Sequence, residues 1–155
     1  NVLDLFAGTG ALGLEALSRG AKRVVAVDAN ARAIRCIAEN ARALDVSDRV
    51  IAVRLDLLTD PVKVAGRLTE LTELTDRRAP FSLVFVDAPY ACFDAVPPLL
   101  EHLVAHAVLD VGAVIAVEHA AKTRPSWRVP LAPLANYRYG DTAVTLLQVA
   151  SRPRT

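Results

Sequence analysis

Acidic residues that follow apolar runs are the feature of this sequence with the clearest chemical meaning. Asp4, Asp28, Asp56, Asp87 and Glu118 each come directly after such a run. In an open sheet of parallel strands, the ligand crevice lies at the carboxyl ends of the strands. A single aspartate there is usually a helix cap or a turn residue. Four or five acids in register instead predict a binding site rich in carboxylates.

A glycine-rich loop connects the first predicted strand, Asn1-Val2-Leu3, to a predicted helix at Leu14–Arg19. Gly8 and Gly10 let the backbone turn tightly and lie close to a ligand. With Gly13 they also fit the spacing G-x-G-x-x-G, which alone is a weak signal. Strand, loop and helix together predict the first half of a nucleotide-binding βα unit.

Asp28 lies 20 residues after Gly8, which suits a carboxylate that accepts hydrogen bonds from both hydroxyls of a ribose. NAD and S-adenosylmethionine both carry such a ribose. A carboxylate at Asp4 would face the pyrophosphate of a dinucleotide unfavourably, whereas it suits the cationic amino-acid part of S-adenosylmethionine. An antiparallel hairpin predicted at the end of the chain also favours S-adenosylmethionine, because a doubly wound dinucleotide fold does not require one.

Five apolar runs separated by helices predict a parallel sheet that is covered on both faces. After the first strand, the runs lie at 23–27, 50–55, 81–86 and 112–117. The expected helices run from an Asn30 cap to Leu44, from Asp60-Pro61 to residues 77–80, and from about Pro97 to Ala107.

The pattern changes after residue 125. Trp127-Arg128-Val129 and Ala135–Tyr139 are typical of strand pieces, Gly140-Asp141 predicts a turn, and Thr142–Val149 predicts a final strand. A tight turn forces antiparallel pairing. The sheet is therefore expected to end in an antiparallel hairpin.

The stretch from Asp4 to Gly20 resembles the first motif of the bacterial 16S ribosomal RNA guanine-N2 methyltransferases of the RsmD type. The resemblance covers nearly the whole chain, continuing through Asp28, Asp56, Asp87-Ala88-Pro89-Tyr90, Val117-Glu118-His119 and Tyr139-Gly140-Asp141-Thr142. It implies an α/β, three-layer Rossmann-like class I methyltransferase fold, with a mostly parallel seven-stranded sheet that ends in an antiparallel hairpin. It also implies S-adenosylmethionine as cofactor and 16S ribosomal RNA within a small-subunit particle as partner.

Two groups of site residues are expected from the motifs and this resemblance. The cofactor-binding residues are Asp4, Phe6, Ala7, Gly8, Gly10, Asp28, Ala29, Asp56 and Leu57. The catalytic residues are Asp87, Ala88, Pro89 and Tyr90.

Methylation of an exocyclic amine gives the Asp87–Tyr90 stretch its expected role. An aromatic amine is a poor nucleophile because its lone pair is delocalised into the ring. A carboxylate and a backbone carbonyl that accept its two N–H bonds would localise that lone pair and aim it at the methyl group. The resemblance assigns these acceptors to Asp87 and to the Ala88 carbonyl, with Tyr90 stacked on a flipped base.

Ala88 departs from the family, which has a proline at this position. The carbonyl is retained, but the fixed φ of proline is lost. We expect activity to survive with a weakened or altered target preference, because Pro89 restricts Ala88 to extended conformations.

Other polar and aromatic residues have more than one interpretation. Cys92 lies close to Tyr90, but nothing cationic beside it in sequence would activate a thiolate, so a packing role is expected. His102 and His106 are four residues apart on a helix without an evident third metal ligand, so we expect no metal. Four cations interleave with three aromatic residues, which fits single-stranded RNA binding and equally a hairpin with a packed tryptophan: Lys122, Arg124, Arg128, Arg138, Trp127, Tyr137 and Tyr139.

Composition sets the expected context. A chain of 155 residues is most simply one domain, its apolar runs are too short for a membrane span, and two cysteines are too few for a disulfide framework. The net charge of +1 gives no general attraction to nucleic acid. We expect a single domain over residues 1–155, natural sequence before Asn1, and a cytoplasmic monomer.

The leading hypothesis is S-adenosylmethionine-dependent methyl transfer to the N2 of a guanine in 16S ribosomal RNA. An amino-methylase of DNA adenine or cytosine, or of another RNA, would need the same pair of acceptors. An NAD-dependent dehydrogenase would use the same glycine spacing. A degenerate cofactor-binding domain that acts as an assembly partner, without catalysis, would explain why Ala88 replaces the family proline.

Overall fold

A seven-stranded sheet forms the centre of the protein. The computed structural model describes residues 1–76 and 80–151. Its strands are β1 (Val2–Leu5), β2 (Val24–Asp28), β3 (Val50–Arg54), β4 (Phe81–Val86), β5 (Leu109–Ala120), β6 (Leu131–Tyr139) and β7 (Thr142–Val149). They are arranged in the order β3-β2-β1-β4-β5-β7-β6. The first five strands are parallel, and β7 runs antiparallel to both β5 and β6. The expected fold is confirmed.

Four α-helices among the described residues connect the parallel strands: α1 (Ala11–Ser18), α2 (Ala31–Ala43), α3 (Pro61–Asp76) and α4 (Val96–Ala105). The predicted cap of α2 is confirmed, because the Asn30 side chain accepts the Arg32 N–H at 2.8 Å. Asp60 caps α3 by accepting the Val62 N–H at 3.0 Å. The expected end of α3 lies at residues 77–80, of which residues 77–79 lie outside the described residues. Within residues 1–76 and 80–151, every helix is too short or too polar to cross a membrane.

The two faces of the sheet bury different residues of the same strands. Val2 of β1 packs in one cluster with residues of α1 and α2, whereas its neighbour Leu3 packs in the other with residues of α3 and α4. Because successive side chains of a strand point to opposite faces, a strand covered on both sides has no polar alternation. This explains why β1 and β2 are nearly continuous apolar runs.

Three sequence-based expectations about strands are wrong in detail. Trp127-Arg128-Val129 is not a strand but part of the connection from β5 to β6. The Trp127 ring packs edge-on against Phe93, with centroids 6.3 Å apart, so its apolar surface is partly buried by packing rather than by strand pairing. Asp4 lies inside β1, and Glu118 and His119 lie inside β5 rather than in a loop. Strand β5 continues because β7 pairs with it as far as Ala120.

Gly13 of α1 allows the helix to lie against the sheet. A Cβ atom at this position would lie 2.6 Å from Cγ1 of Val24 and 3.1 Å from Oδ2 of Asp4. Val24 is itself buried and β-branched, so it has little freedom to move away.

We therefore expect Gly13→Ala to lower the free energy of unfolding by about 1–3 kcal/mol through overpacking. Gly66 in α3 is the matched control, because a Cβ there meets no atom within 4 Å. Gly66→Ala should raise the free energy of unfolding by about 0.5–1 kcal/mol, since alanine favours the helix. Urea denaturation of both variants measures the difference, and equal effects at the two glycines would contradict this account of the α1–β2 contact.

Candidate active site

The strand register brings two carboxylates to either side of the glycine loop. Leu5 at the end of β1 pairs with Val27 of β2 and with Val86 of β4. Asp28 and Asp87 are the residues that follow these partners, so both lie level with Phe6, where the loop begins. Parallel pairing of three adjacent strands therefore builds the expected acidic edge around the loop.

The glycine loop has a left-handed backbone at three positions, with φ of 61° at Phe6, 55° at Gly8 and 78° at Gly10. The space in front of Gly8 is open, because a Cβ there would meet no atom within 4 Å. At Gly10 a Cβ would lie 3.1 Å from Cγ1 of Ile37, so this residue must be small as well as left-handed. Ala7 ties the loop to β2 through its N–H, which donates to the Val27 carbonyl at 3.0 Å.

Asp28 joins two loops at the end of β2. Its Oδ2 accepts the Gly8 N–H at 2.9 Å and its Oδ1 accepts the Asn30 N–H at 2.8 Å. A carboxylate has about four acceptor positions, so capacity remains for the hydroxyls of a ligand. Ribose binding by Asp28 stays a prediction, but its role in holding the loop is a second function that the spacing did not indicate.

Asp4 is a buried carboxylate with one oxygen in use. Its Oδ2 accepts the Gly13 N–H at 2.9 Å, while Oδ1 has no hydrogen-bond partner among the described residues. The residue is 1% exposed. Burial raises the pKa of Asp4 to about 7, partly offset by the Gly13 N–H, and the charges of Asp87 and Asp28 raise it further. A cationic ligand group within reach would stabilise the ionised form, so Asp4 fits the amino-acid part of S-adenosylmethionine.

Asp56 and Leu57 follow β3, and their side chains have different environments. The exposed Asp56 accepts the Leu58 N–H at 2.9 Å and so forms a turn, whereas the Leu57 side chain is buried in the core. Both remain predicted cofactor contacts. Their loop adjoins the Asp28 loop, because the Leu55 N–H donates to the Asp28 carbonyl at 3.1 Å.

Asp87, Ala88, Pro89 and Tyr90 form the opposite side of the crevice. Asp87 is exposed, yet partial burial raises the pKa of its carboxyl, and the negative charge of Glu118 raises it further. Ala88 is buried and Pro89 is extended, with φ −52° and ψ 131°. Tyr90 begins a short 3-10 helix, Tyr90–Ala95, in which the Cys92 N–H donates to the Pro89 carbonyl at 2.8 Å.

Two strands hold the Tyr90 side chain. Its hydroxyl donates to Oε1 of Glu118 on β5 at 3.1 Å, and it lies 2.7 Å from Oγ1 of Thr142 on β7. Because a phenol has one hydrogen, Thr142 is the donor in the second bond. Tyr90 is 44% exposed. The result is a fixed, half-exposed aromatic ring close in sequence to Asp87, which suits a flat base.

His119 does not face this crevice. It is buried, with Nε2 2.8 Å from Oγ1 of Thr145 and Nδ1 3.0 Å from the Ala120 carbonyl. Asn136 also donates to Thr145, at 2.7 Å. A proton on Nδ1 satisfies every group in this network, so His119 is a structural residue that links β5, β7 and β6.

Two contacts to the site come from residues that the sequence did not single out. Asn40 of α2 donates to the Thr9 carbonyl of the glycine loop at 3.0 Å, and Arg54 of β3 donates to the Ala29 carbonyl at 3.2 Å. Each contact spans more than 20 residues, and neither residue type carries a motif. Spacing alone could not have found them.

His102 lies in the last turn of α4, and His106 is the C-cap residue of that helix. Residues 1–76 and 80–151 contain no group of three or more histidine, cysteine or acidic side chains that could hold an ion. His106 instead contacts the His102 carbonyl through Nδ1 at 2.9 Å.

A cavity of about 820 Å³ lies elsewhere, on the sheet face beside α1. Its lining includes Asn1, Val2, Leu83, Phe85 and Asp110 but none of the expected site residues. The crevice at the strand ends, rather than this cavity, brings the expected residues together.

Comparisons with known proteins agree with this geometry. The family model described as conserved hypothetical protein 95 matches residues 1–148. The Bacillus subtilis protein named "Putative rRNA methyltransferase YlbH" is 30% identical over 145 residues, which are 93% of this chain and 73% of that protein.

Two solved structures show the same fold. "Putative methyltransferase yhhF from Escherichia coli" superposes with a TM-score of 0.78 at 24% identity, over 97% of this chain and 76% of that one. An RNA methyltransferase from Salinibacter ruber, solved in complex with S-adenosyl-L-homocysteine, gives a TM-score of 0.65 at 15% identity, over 99% and 82%. At these identities the likeness concerns the fold alone.

The raised pKa of Asp4 predicts a specific pH dependence. Between pH 3.8 and about 7 the unfolded chain ionises this carboxyl while the folded protein keeps it protonated, so the free energy of unfolding falls as the pH rises. At 1.36 kcal/mol per pKa unit, the fall is at most about 4 kcal/mol and ends above pH 7.

The Asp4→Asn variant should lack this contribution. Denaturation of wild type and variant across this pH range should therefore give a stability difference that shrinks or reverses as the pH rises. Asp94→Asn, which removes an exposed aspartate, controls for the lost charge and should show no such trend. Parallel curves for wild type and Asp4→Asn would contradict the assignment.

Proposed function

Because the chain belongs to the family described as conserved hypothetical protein 95, we propose that it transfers a methyl group from S-adenosylmethionine to an exocyclic amine of RNA. The acceptor is the N2 of a guanine in 16S ribosomal RNA. The resemblance to the RsmD-type methyltransferases is confirmed by the family match and the Bacillus subtilis relative. The observation that carries the proposal is the placement of the glycine loop beside Asp87–Tyr90, at the ends of the adjacent strands β1 and β4.

The cofactor would lie along the ends of β1, β2 and β3. Asp4 would face the amino-acid part of the cofactor, and Asp28 would face its ribose. The backbone of the loop from Phe6 to Gly10 would lie close to the cofactor. Ala29, Asp56 and Leu57 would adjoin the adenine. When bound, S-adenosylmethionine supplies an electrophilic methyl group on a sulfonium. The unpaired Oδ1 of Asp4 and the open space before Gly8 support this placement.

The amine would lie against Asp87. Its two N–H bonds would donate to the Asp87 carboxylate and to the Ala88 carbonyl, which localises the nitrogen lone pair toward the methyl group. Tyr90 would stack on the base and fix its plane. The raised pKa of Asp87 supports this role, because a more basic carboxylate accepts a stronger hydrogen bond. Transfer would then be a direct displacement at the methyl carbon, without a covalent intermediate on the enzyme. The N–C bond would form as the C–S bond breaks, S-adenosylhomocysteine would be the leaving group, and the amine would release one proton to the Asp87 carboxylate, which passes it to water.

The name of the Bacillus subtilis relative supports RNA rather than DNA as the substrate, since that protein is named as a putative rRNA methyltransferase. The acceptor pair at Asp87 and Ala88 would also serve a DNA adenine or cytosine. We propose a cytoplasmic protein, because ribosomal RNA lies in the cytoplasm, and a monomer of one domain.

Two substitutions separate cofactor binding from transfer. Asp87→Ala should leave S-adenosylmethionine affinity unchanged and lower the rate of transfer by about 10²–10³, the effect of losing a preorganised hydrogen-bond partner. Asp28→Ala should weaken the affinity by about tenfold or more, because it removes a charged acceptor and releases Gly8. Calorimetry measures binding, and methyl transfer from labelled cofactor measures the rate.

Asp94→Ala removes an exposed aspartate from the short helix that begins at Tyr90 and should change neither quantity. An unchanged transfer rate in Asp87→Ala would show that the proposed amine contact is wrong. Tight binding of NAD without binding of S-adenosylmethionine would support the dehydrogenase instead.

The labelled product identifies the acceptor. Small-subunit particles from a strain that lacks the modification, naked 16S ribosomal RNA and DNA are each incubated with the protein and labelled S-adenosylmethionine. Digestion to nucleosides should place the label in N2-methylguanosine. Label in N6-methyladenine or N4-methylcytosine of DNA would overturn the proposed substrate.

A further inference from the structure

Two tyrosines of the edge strand β6 face outward. Tyr137 is 48% and Tyr139 67% exposed, although both belong to a paired strand. They are two residues apart, so their side chains lie on the same face of the sheet. Trp127, the third aromatic residue of this region, packs instead against Phe93.

These rings continue from the proposed catalytic site. Tyr139 pairs with Thr142, and Tyr137 pairs with Val144. Side chains of paired residues share a face, and the hydroxyl of Thr142 is the one that lies 2.7 Å from the Tyr90 hydroxyl. Tyr90, Tyr139 and Tyr137 therefore lie on one face of the sheet, and together they are called the tyrosine row. The row passes from Tyr90 to Tyr139 at the end of β6 and then along β6 to Tyr137.

The edge of β6 is poorly suited to pairing with a further strand. Pro133 lies within the strand, and the register shifts between Pro133 and Ala135. A proline and a bulge are both devices that prevent strand addition at a sheet edge. The exposed rings are therefore better suited to a ligand that stacks than to a protein strand.

Cations outnumber carboxylates in the two segments beside the β6–β7 turn, whereas Glu118 and Asp87 lie at the Tyr90 end of the tyrosine row. The Ala121 N–H donates to the Asp141 carbonyl at 2.8 Å, so the loop after β5 lies beside the β6–β7 turn. Residues 121–124 and 136–142 contain Lys122, Arg124 and Arg138 against the single carboxylate of Asp141. Lys122 and Arg124 are exposed. Flat rings next to exposed cations match the bases and phosphates of an unpaired nucleic acid strand.

We propose that Tyr139 and Tyr137 stack on the unpaired RNA nucleotides adjacent to the target base, while Lys122 and Arg124 contact their phosphates. This inference rests on the proposed function and narrows its substrate to a single-stranded stretch. Because every base has an aromatic face, stacking here adds affinity and positions the strand without reading its sequence.

The test uses the full chain and a short single-stranded RNA with one guanine, flanked by the fluorescent base 2-aminopurine. In wild type, binding should quench the 2-aminopurine fluorescence. The double variant Tyr137→Ala/Tyr139→Ala should lose the quenching and bind on the order of tenfold more weakly for each ring removed. It should raise KM for this RNA and leave kcat and S-adenosylmethionine affinity unchanged.

Two controls separate stacking from a general surface effect. Tyr137→Phe/Tyr139→Phe keeps both rings and should behave as wild type. Leu134→Ala removes an exposed apolar side chain from the same strand and should not weaken binding. Equal losses in the phenylalanine and alanine variants, or wild-type affinity and quenching in the alanine variant, would overturn the inference. So would a dimer in sedimentation that the alanine variant abolishes, because the row would then bind a second copy.

Different results would contradict the proposed reaction and the proposed role of the tyrosine row. Quenching that depends on both rings, without methyl transfer to any RNA, would support the tyrosine row and contradict the proposed reaction. Normal transfer by the alanine variant at wild-type KM would contradict the tyrosine row and leave the reaction intact.

Discussion

The hydrogen bond between the Gly13 N–H and the buried Asp4 carboxylate is the contact on which the crevice depends. It fixes the start of α1 against β1, and it is possible because residue 13 has no side chain to separate the helix from Val24. The glycine loop then connects β1 to α1 over a short distance, and three of its residues have a left-handed backbone. Helix position and loop conformation therefore have one common cause.

Burying Asp4 costs stability at neutral pH. Its pKa is raised to about 7, so ionising this carboxyl requires more free energy in the folded protein than in the unfolded chain. Asp28 and Asp87 add to that cost through their charges. An arrangement of carboxylates that disfavour one another is characteristic of binding sites, where a ligand supplies the missing partner. The rest of the fold, with two continuous apolar clusters, provides the stability that such a site requires.

The antiparallel strands at the end of the sheet help to hold residues of the site in place. The hydroxyl of Tyr90 bonds to Glu118 of β5 and Thr142 of β7, so the aromatic ring beside Asp87 is held by both halves of the sheet. On the opposite face, His119 and Thr145 bind the same two strands together from within the core. The β6–β7 hairpin thus fixes one wall of the crevice.

The sequence by itself determined the centres of the buried strands, the loop and the acids, since apolar runs, glycine spacing and residues such as Asn30 act over short distances. It also indicated the methyltransferase family through Asp4–Gly20. Only the tertiary structure decided that Asp28 holds Gly8, that Trp127 is packed and Tyr139 exposed, and that Glu118 and His119 point to opposite faces of one strand. These features depend on pairing between residues 20 or more positions apart, and no local preference specifies which long-range partner a side chain meets.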